Sequence, residues 1–340
     1  MAFNVDKLHI LDETPVHYLP QMSRYLGIQL FMKRDDLTPY GAGGNKMRKL
    51  EYLVKDALNK KATMLVTVGG GQTNHGRQTA AMAAKYGLKC AIVAIDDYPG
   101  ELTANMLLDR LFGADLIIKA DDGRRESMQF AELTEKVIKD YEAKGEKVYY
   151  IPLGGSNEIG DLGYYDCAVE LDRQAKELGI PNARVIDAVG SMGTHLGLYC
   201  GLKDNKSDLR LTGIAILPFS KAKGEKAVAE LIKLKMTYGM DIDGTVEDLD
   251  IETGYVRDGY NLPSKEVRDA IKLVASKEGI LLDPCYTGKA MAGLIDMVFE
   301  GKIAQGEDVI FMHTGGMPGL YTPHHRVEFE EELMDGVYLL

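Results

Sequence analysis

The sequence predicts an α/β protein with mainly parallel sheets covered by helices on both faces. Apolar runs of strand length alternate with stretches of helical length along the chain. The strand-like runs are continuously apolar, as strands buried on both sides must be. Two of them end in glycines that open directly into a helical stretch, at Gly69 and at Gly190.

In chain order, residues 65–68 form the first such run, and a helix-like stretch over 76–86 follows its glycines. Runs at 90–95, 114–118 and 148–153 come next, separated by periodic stretches at 101–112 and 128–143. A further helical stretch at 162–178 leads to runs at 184–189 and 211–217, and a last run lies at 309–313. There is no internal repeat and no low-complexity linker. By pattern alone, a division at Gly154-Gly155 suits the chain.

Composition narrows the function. The 340 residues are 45% apolar and 27% charged, enough for two domains or one large one. Net charge is −11, from 51 acidic and 40 basic side chains, with no long basic run. Such a chain is a poor partner for nucleic acid, whose affinity comes mostly from phosphate neutralisation. No apolar stretch reaches the roughly 18 residues that span a bilayer, and the N-terminus lacks the basic start and apolar core of a signal peptide. Four scattered cysteines, Cys90, Cys167, Cys200 and Cys285, suit buried small side chains in a reducing compartment. A soluble cytoplasmic enzyme is expected.

The densest motif is Gly43-Gly44-Asn45-Lys46-Met47-Arg48-Lys49-Leu50-Glu51. A glycine pair lets the backbone turn sharply and another group approach closely. A lysine presented there is either a phosphate contact or, if desolvated, an amine able to form a Schiff base. Taken alone, the segment also reads as a loop and a surface helix with solvated lysines. Gly190-Ser191-Met192-Gly193-Thr194 follows a strand and opens a helix, where free N–H groups and the helix dipole attract anions. Glycines at such turns also serve geometry alone. Competing motifs fail: Gly288-Lys289 and Gly301-Lys302 lack the Ser or Thr of a P-loop, and Asn74 stands where a dinucleotide fingerprint needs its third glycine. Asp35-Asp36, read as extended, points its carboxylates to opposite sides. His324-His325 has no spaced partner for a metal, and no serine-hydrolase elbow is present.

In company, Lys46, Gly69-Gly70-Gly71-Gln72-Thr73-Asn74-His75, the Gly190 loop, Asp283-Pro284-Cys285-Tyr286-Thr287 and His313-Thr314-Gly315-Gly316 resemble one family. It is the D-cysteine desulfhydrase and 1-aminocyclopropane-1-carboxylate (ACC) deaminase family, pyridoxal-phosphate enzymes of the tryptophan-synthase-β-like fold type II. The resemblance spans nearly the whole chain. It implies a large cofactor domain from residues 1–52 and 159–340, a small inserted α/β domain at 53–158, and a homodimer.

The resemblance also assigns roles. Lys46 would carry pyridoxal phosphate and serve as the base near Cα, which requires burial or a neighbouring positive charge, from Arg48 or Lys49, to lower its pKa. Gly190, Ser191, Met192, Gly193 and Thr194 would cup the phosphate with Lys49 in support. Asn74 would sit beside the cofactor's phenolic oxygen. Thr73 replaces the family's usual serine, adding a methyl that bears on substrate volume; otherwise it is a plain helix cap. Thr73, Asn74 and His75 would receive the substrate carboxylate, and Tyr260 and Tyr286 would face substrate. Thr287 stands where ACC deaminases carry glutamate against the pyridine nitrogen, and Thr314 is a second contact to that nitrogen. A hydroxyl in place of a carboxylate makes a weaker electron sink, which suits elimination of a good leaving group. The expected activity is elimination from D-cysteine to pyruvate, ammonia and hydrogen sulfide. Alternatives are ACC deamination, elimination of sulfite from cysteate, or a non-catalytic anion-binding protein.

Overall fold

Two sheets divide the strands of this computed structural model, which describes residue 3, residues 5–96 and residues 100–338. The chain begins β1 (Val16–Tyr18), α1 (Pro20–Leu26), β2 (Gln29–Lys33) and α2 (Lys46–Asn59). It continues β3 (Met64–Gly69), α3 (Asn74–Lys85), β4 (Lys89–Ile95), α4 (Ala104–Leu111), β5 (Asp115–Lys119), α5 (Glu126–Glu142) and β6 (Val148–Ile151). Then come α6 (Leu162–Glu177), β7 (Arg184–Val189), α7 (Gly193–Asp204), β8 (Arg210–Ala215), α8 (Lys221–Tyr238) and β9 (Ile251–Glu252). The chain closes with α9 (Lys265–Glu278), α10 (Thr287–Phe299), β10 (Asp308–Met312) and α11 (Pro323–Leu333).

The larger sheet runs β1-β2-β10-β7-β8-β9 and is parallel except at the β1–β2 pair. The smaller, β5-β4-β3-β6, is wholly parallel, and all its residues fall between β2 and β7 in sequence. Parallel neighbours need crossover connections, which the intervening helices supply. Every residue of β3 is buried. Leu65 packs with Ile92 and α2 on one face, while Met64, Val66 and Val93 pack on the other. That two-sided burial is why the run at 65–68 has no polar face; each such side chain contributes about 1.5–3 kcal/mol.

Helix α2 joins the two halves of the molecule. Met47, Leu50, Leu53, Val54 and Ala57 form a stripe at helical spacing against the β3 core. Tyr52 leaves that stripe for the core around α7 and α8. Asp35-Asp36 is not extended, as the sequence suggested, but a short 3-10 turn. The two carboxylates still part company, Asp35 toward Arg48 and Asp36 toward Arg34.

Candidate active site

A cavity of about 600 Å³ lies where Gly69, ending β3, and Val189, ending β7, approach each other. Crevices beyond the carboxyl ends of parallel strands are where such sheets bind ligands. Lys46, the first residue of α2, enters this cavity. The turn before it admits only glycine: Gly43 and Gly44 have φ of 66° and 126°. A Cβ on Gly43 would lie 2.0 Å from the Asp36 carbonyl, and one on Gly44 would lie 2.7 Å from Gln78.

Lys46 Nζ donates to Asn45 Oδ1 at 3.1 Å, and Asn45 Nδ2 donates to Thr194 Oγ1 at 2.9 Å. One amide therefore couples the amine to the first turn of α7. Burial, then the charges of Lys49 and Arg77, pushes the Lys46 pKa well below its ordinary value against the pull of Asp283. Arg48 takes no part. Its guanidinium leaves the other side of α2 for Asp35 at 2.9 Å, Glu170 at 2.8 Å and Thr14 at 3.0 Å. It is neither a neighbour of Lys46 nor a solvated surface residue.

Gly190, Ser191, Met192, Gly193 and Thr194 line the cavity together. No side chain caps α7, whose N-cap Met192 has φ of 75°, a conformation that persists only where surroundings enforce it. Ser191 Oγ meets Ser156 Oγ at 2.7 Å. Lys49, fully buried behind the wall, donates to Gly154 O and Ser156 Oγ at 3.2 Å and stands 3.9 Å from Asp161. A Cβ on Gly193 would lie 2.2 Å from Asp161 Oδ1, 2.4 Å from Ser156 Oγ and 2.6 Å from Lys49 Nζ. Two donors, Ser156 Oγ and Lys49 Nζ, and the Asp161 carboxyl thus converge on a bare Cα beside an uncapped helix N-terminus, where backbone N–H groups attract anions. His195 braces this helix: its ring nitrogens face Asp187 and the Leu249 carbonyl, each at 2.7 Å.

Helix α3 supplies the facing wall. Thr73 Oγ1 accepts from Gly76 N at 3.2 Å and caps the helix. Its methyl lies against Gly76, where a Cβ would be 2.4 Å from Thr73 Cγ2. A glycine therefore accommodates the volume that threonine adds over serine. Asn74 Oδ1 accepts from Arg77 at 2.7 Å and Asn105 at 3.1 Å, which fixes its amide with Nδ2 free as a donor. Arg77 also donates to Gly41 O at 2.7 Å, Gly43 O at 3.0 Å and Asn105 at 2.6 Å, tying α3 to the Lys46 turn.

His75 lines the cavity, but its ring has no N–H to offer a carboxylate, which leaves the backbone N–H at the start of α3. Thr67 Oγ1 donates to Ile151 O at 2.9 Å, so at 2.8 Å it accepts the Nε2 proton of His75. Burial, then the charges of Lys46 and Lys49, keeps the ring neutral, and its Nδ1 is an unprotonated acceptor without a partner among the described residues.

Tyr260 and Tyr286 line the cavity with their hydroxyls 2.7 Å apart. Desolvation of the hydroxyls facing the cavity raises both phenol pKa values, although Tyr260 as a whole is 46% exposed, so both remain protonated donors. Thr314 also lines the cavity. Thr287 does not: its buried hydroxyl donates to Asp283 Oδ1 at 2.7 Å and accepts from Asp283 N at 2.9 Å. That hydroxyl braces the start of α10 and is turned away from the cavity that Thr314 lines. Among the described residues no His, Cys, Asp and Glu cluster could hold a metal, and all four cysteines are buried and free. No helix is long and apolar enough to cross a membrane, among the described residues. Asn45 stands inside the lysine motif and Arg77 two residues beyond the Gly69–His75 segment, whereas Ser156, Asp161 and Asn105 carry no local signal.

The family model described as pyridoxal-phosphate dependent enzyme matches residues 8–315. The chain belongs to that family. D-cysteine desulfhydrase of Salmonella schwarzengrund (strain CVM19633) is 40% identical over 321 residues, covering 92% of this chain and 94% of the relative. The enzyme of the same name from Salmonella newport (strain SL254) gives the same identity and coverage. A crystal structure of an ACC deaminase homologue superposes with a TM-score of 0.86 at 34% identity, covering 98% of this chain and 97% of that one. A fungal L-serine ammonia-lyase from Rhizomucor miehei gives a TM-score of 0.67 over 96% of this chain and 99% of that one. At its 18% identity this likeness shows the fold alone, the α/β type II architecture of pyridoxal-phosphate enzymes. The residues present fit the family's cofactor: Lys46 would offer the amine for its aldehyde, and the α7 turn with Lys49 and Ser156 would offer donors for its phosphate.

Proposed function

We propose that this enzyme is a carbon–sulfur lyase that eliminates the β-substituent of a small amino acid, D-cysteine foremost, giving pyruvate, ammonia and hydrogen sulfide. When bound, pyridoxal phosphate supplies an electron sink for the carbon bearing the amino group. Lys46 Nζ, neutral much of the time because of burial and the charges of Lys49 and Arg77, takes the proton from that carbon. The α3 N-terminus receives the carboxylate through backbone N–H groups, with the Thr73 hydroxyl proton still available to donate. Asn74, its Oδ1 held by Arg77 and Asn105, would donate from Nδ2 to the cofactor ring's phenolic oxygen. The protonated Tyr260 and Tyr286 pair orients the β-group and holds a proton for the departing thiolate. Thr314, on the cavity wall, would offer the pyridine nitrogen a neutral hydroxyl.

The observation that carries this reading is a lysine of depressed pKa joined through one amide to an uncapped helix N-terminus. The 40% identity to a D-cysteine desulfhydrase supports the substrate, and the ACC deaminase homologue keeps ACC as the second reading. Purified protein should absorb near the visible edge and release pyruvate from D-cysteine. Lys46→Ala should lose both, with a rate drop of at least about 100-fold. Pyruvate release across D-cysteine, L-cysteine, D-serine, cysteate and β-chloroalanine ranks the leaving groups, and 2-oxobutyrate from ACC tests the second reading. A cytoplasmic homodimer with a small domain at 53–158 set into a larger one completes the proposal.

A further inference from the structure

We propose that Asp161 is a proton-donating ligand of the cofactor's phosphate, so that filling the α7 cup takes up a proton from solvent wherever the free protein holds Asp161 ionised. The inference rests on the reading of that cup as the phosphate site. Asp161 is 1% exposed and borders the cavity. Neither carboxyl oxygen has a hydrogen-bond partner among the described residues, and Lys49 Nζ, at 3.9 Å, lies beyond hydrogen-bond reach. Yet Oδ1 points with Ser156 Oγ and Lys49 Nζ at the bare Cα of Gly193.

A carboxylate stranded in a dry wall without a donor is costly. Beside a phosphate of nearly two negative charges it would also meet like charge, and both effects vanish when the acid is neutral. The neutral acid has an O–H to give, and a phosphate oxygen is the acceptor the cup would bring. The groups around Asp161 do not oppose this. Lys49 of α2 alone favours ionisation at close range; Glu158 and Glu230 disfavour it, and Lys233 of α8 is engaged by Glu158 at 2.7 Å. Cys200 of α7 and Tyr238 of α8 complete the titratable surroundings, and burial keeps both uncharged. Burial pushes the Asp161 carboxyl up to about 8 before any anion arrives.

The sign follows from linkage. Cofactor affinity should be independent of this group below its free pKa and should fall tenfold per pH unit above it. The test is equilibrium dialysis of the full-length holoenzyme against pyridoxal phosphate, from about pH 6.5 to about pH 9.5, spanning that pKa. Wild type is compared with Asp161→Asn, which donates but cannot ionise, and Asp161→Ala, which does neither. Ratios between proteins cancel the titration of groups that do not interact with Asp161, Lys46 among them. Near pH 6.5 the Asn variant should match wild type within about threefold, and near pH 9 it should bind about tenfold tighter. The Ala variant should bind more weakly than wild type at low pH, by a margin that closes as pH rises.

A wild-type-to-Asn ratio that is flat with pH overturns the proposal, as does an Asn variant already far tighter at the lowest pH. If the Asn variant fails to fold, a pH-independent Ala-to-wild-type ratio overturns it instead. A wild type that retains no cofactor at any pH refutes the cup assignment and this inference together. Retention with flat ratios removes Asp161 alone.

Discussion

Replacing Arg77 with methionine removes one guanidinium and leaves four oxygens behind: Gly41 O, Gly43 O, Asn74 Oδ1 and Asn105 Oδ1. Methionine keeps the unbranched stem, so little packing is lost and the deficit is mainly polar. A buried acceptor stripped of its donor costs about 1–3 kcal/mol. Asn74 Oδ1 retains Asn105 as a donor, and neighbouring losses do not add. The sum should fall near the ~3–5 kcal/mol typical of breaking a buried charged contact. Asp109, the nearby buried acid, lessens the damage because burial already raises its pKa to about 8 and it can go neutral. Against a total stability of about 5–15 kcal/mol, the variant should fold with a lowered urea midpoint.

The second consequence is electrostatic. Arg77 is one of the two charges that depress Lys46, so its loss should raise the pH at which the visible absorbance of the holoenzyme titrates. Arg77→Lys separates the two effects. It restores a charge but not the fork that reaches several acceptors at once, so it should recover the titration and little of the stability. An Arg77→Met protein within about 1 kcal/mol of wild type in urea would refute the bonding account. An unchanged absorbance titration in a stably folded variant would refute the electrostatic one.

Gly193→Ala should weaken cofactor retention by roughly 10- to 100-fold, since the added carbon strains a packed site by about 1–3 kcal/mol; dialysis of the folded variant reads this directly. Thr287→Glu should destabilise the protein by several kcal/mol instead of altering the electron sink, because it drives a second carboxylate against buried Asp283; a normal melting temperature would contradict the placement of Thr287. Burial disfavours ionisation of Asp35, but the charge and hydrogen bond of Arg48 win and hold its carboxyl at about 2, below the ordinary 3.8. That difference is worth roughly 2 kcal/mol, present above the unfolded pKa and lost as pH falls through the folded one. Acid unfolding should therefore steepen in wild type and flatten in Asp35→Asn.

The strands most sharply bounded in the sequence are those buried on both faces, while the half-buried edge strands β5 and β6 are legible as the runs at 114–118 and 148–153. The runs at 65–68, 90–95 and 184–189 match β3, β4 and β7 to within a residue or so at each end. In the larger sheet the short edge strands carry no such signal, β1 spanning Val16–Tyr18 and β9 only Ile251–Glu252, and neither does β2, which lies between β1 and β10 and is bounded by Gln29 and Lys33. Lys33 is fully buried because Thr14, Glu170 and Gln174 gather around its amine, and they come from other segments of the chain. The site divides in the same way. Lys46, Asn74 and the Gly190 loop are visible because local geometry forces glycine or a cap beside them. Asp161, Ser156 and Asn105 gain meaning only when tertiary contacts bring them there. The His75 tautomer rests on a Thr67 hydroxyl in β3, which no spacing rule reaches.

Helix α2 shows how one segment can be both legible and misleading. Lys46, Arg48 and Lys49 look like one basic cluster in sequence, but successive residues turn by about 100° around a helix. Lys46 and Lys49, three apart, share the face toward the cavity and the cup. Arg48 is thrown to the opposite face, where Asp35, Glu170 and Thr14 grip it and Tyr164 adds a bond to Asp35 at 2.5 Å. A lysine desolvated at the first turn of a helix gains no stability from being there. The ionic anchor behind α2, together with the glycine turn ahead and Arg77 across it, is what fixes that turn in place. Reactivity at Lys46 and stability at Arg48 are therefore two faces of one helix, and the spacing of three basic residues within four positions makes both possible.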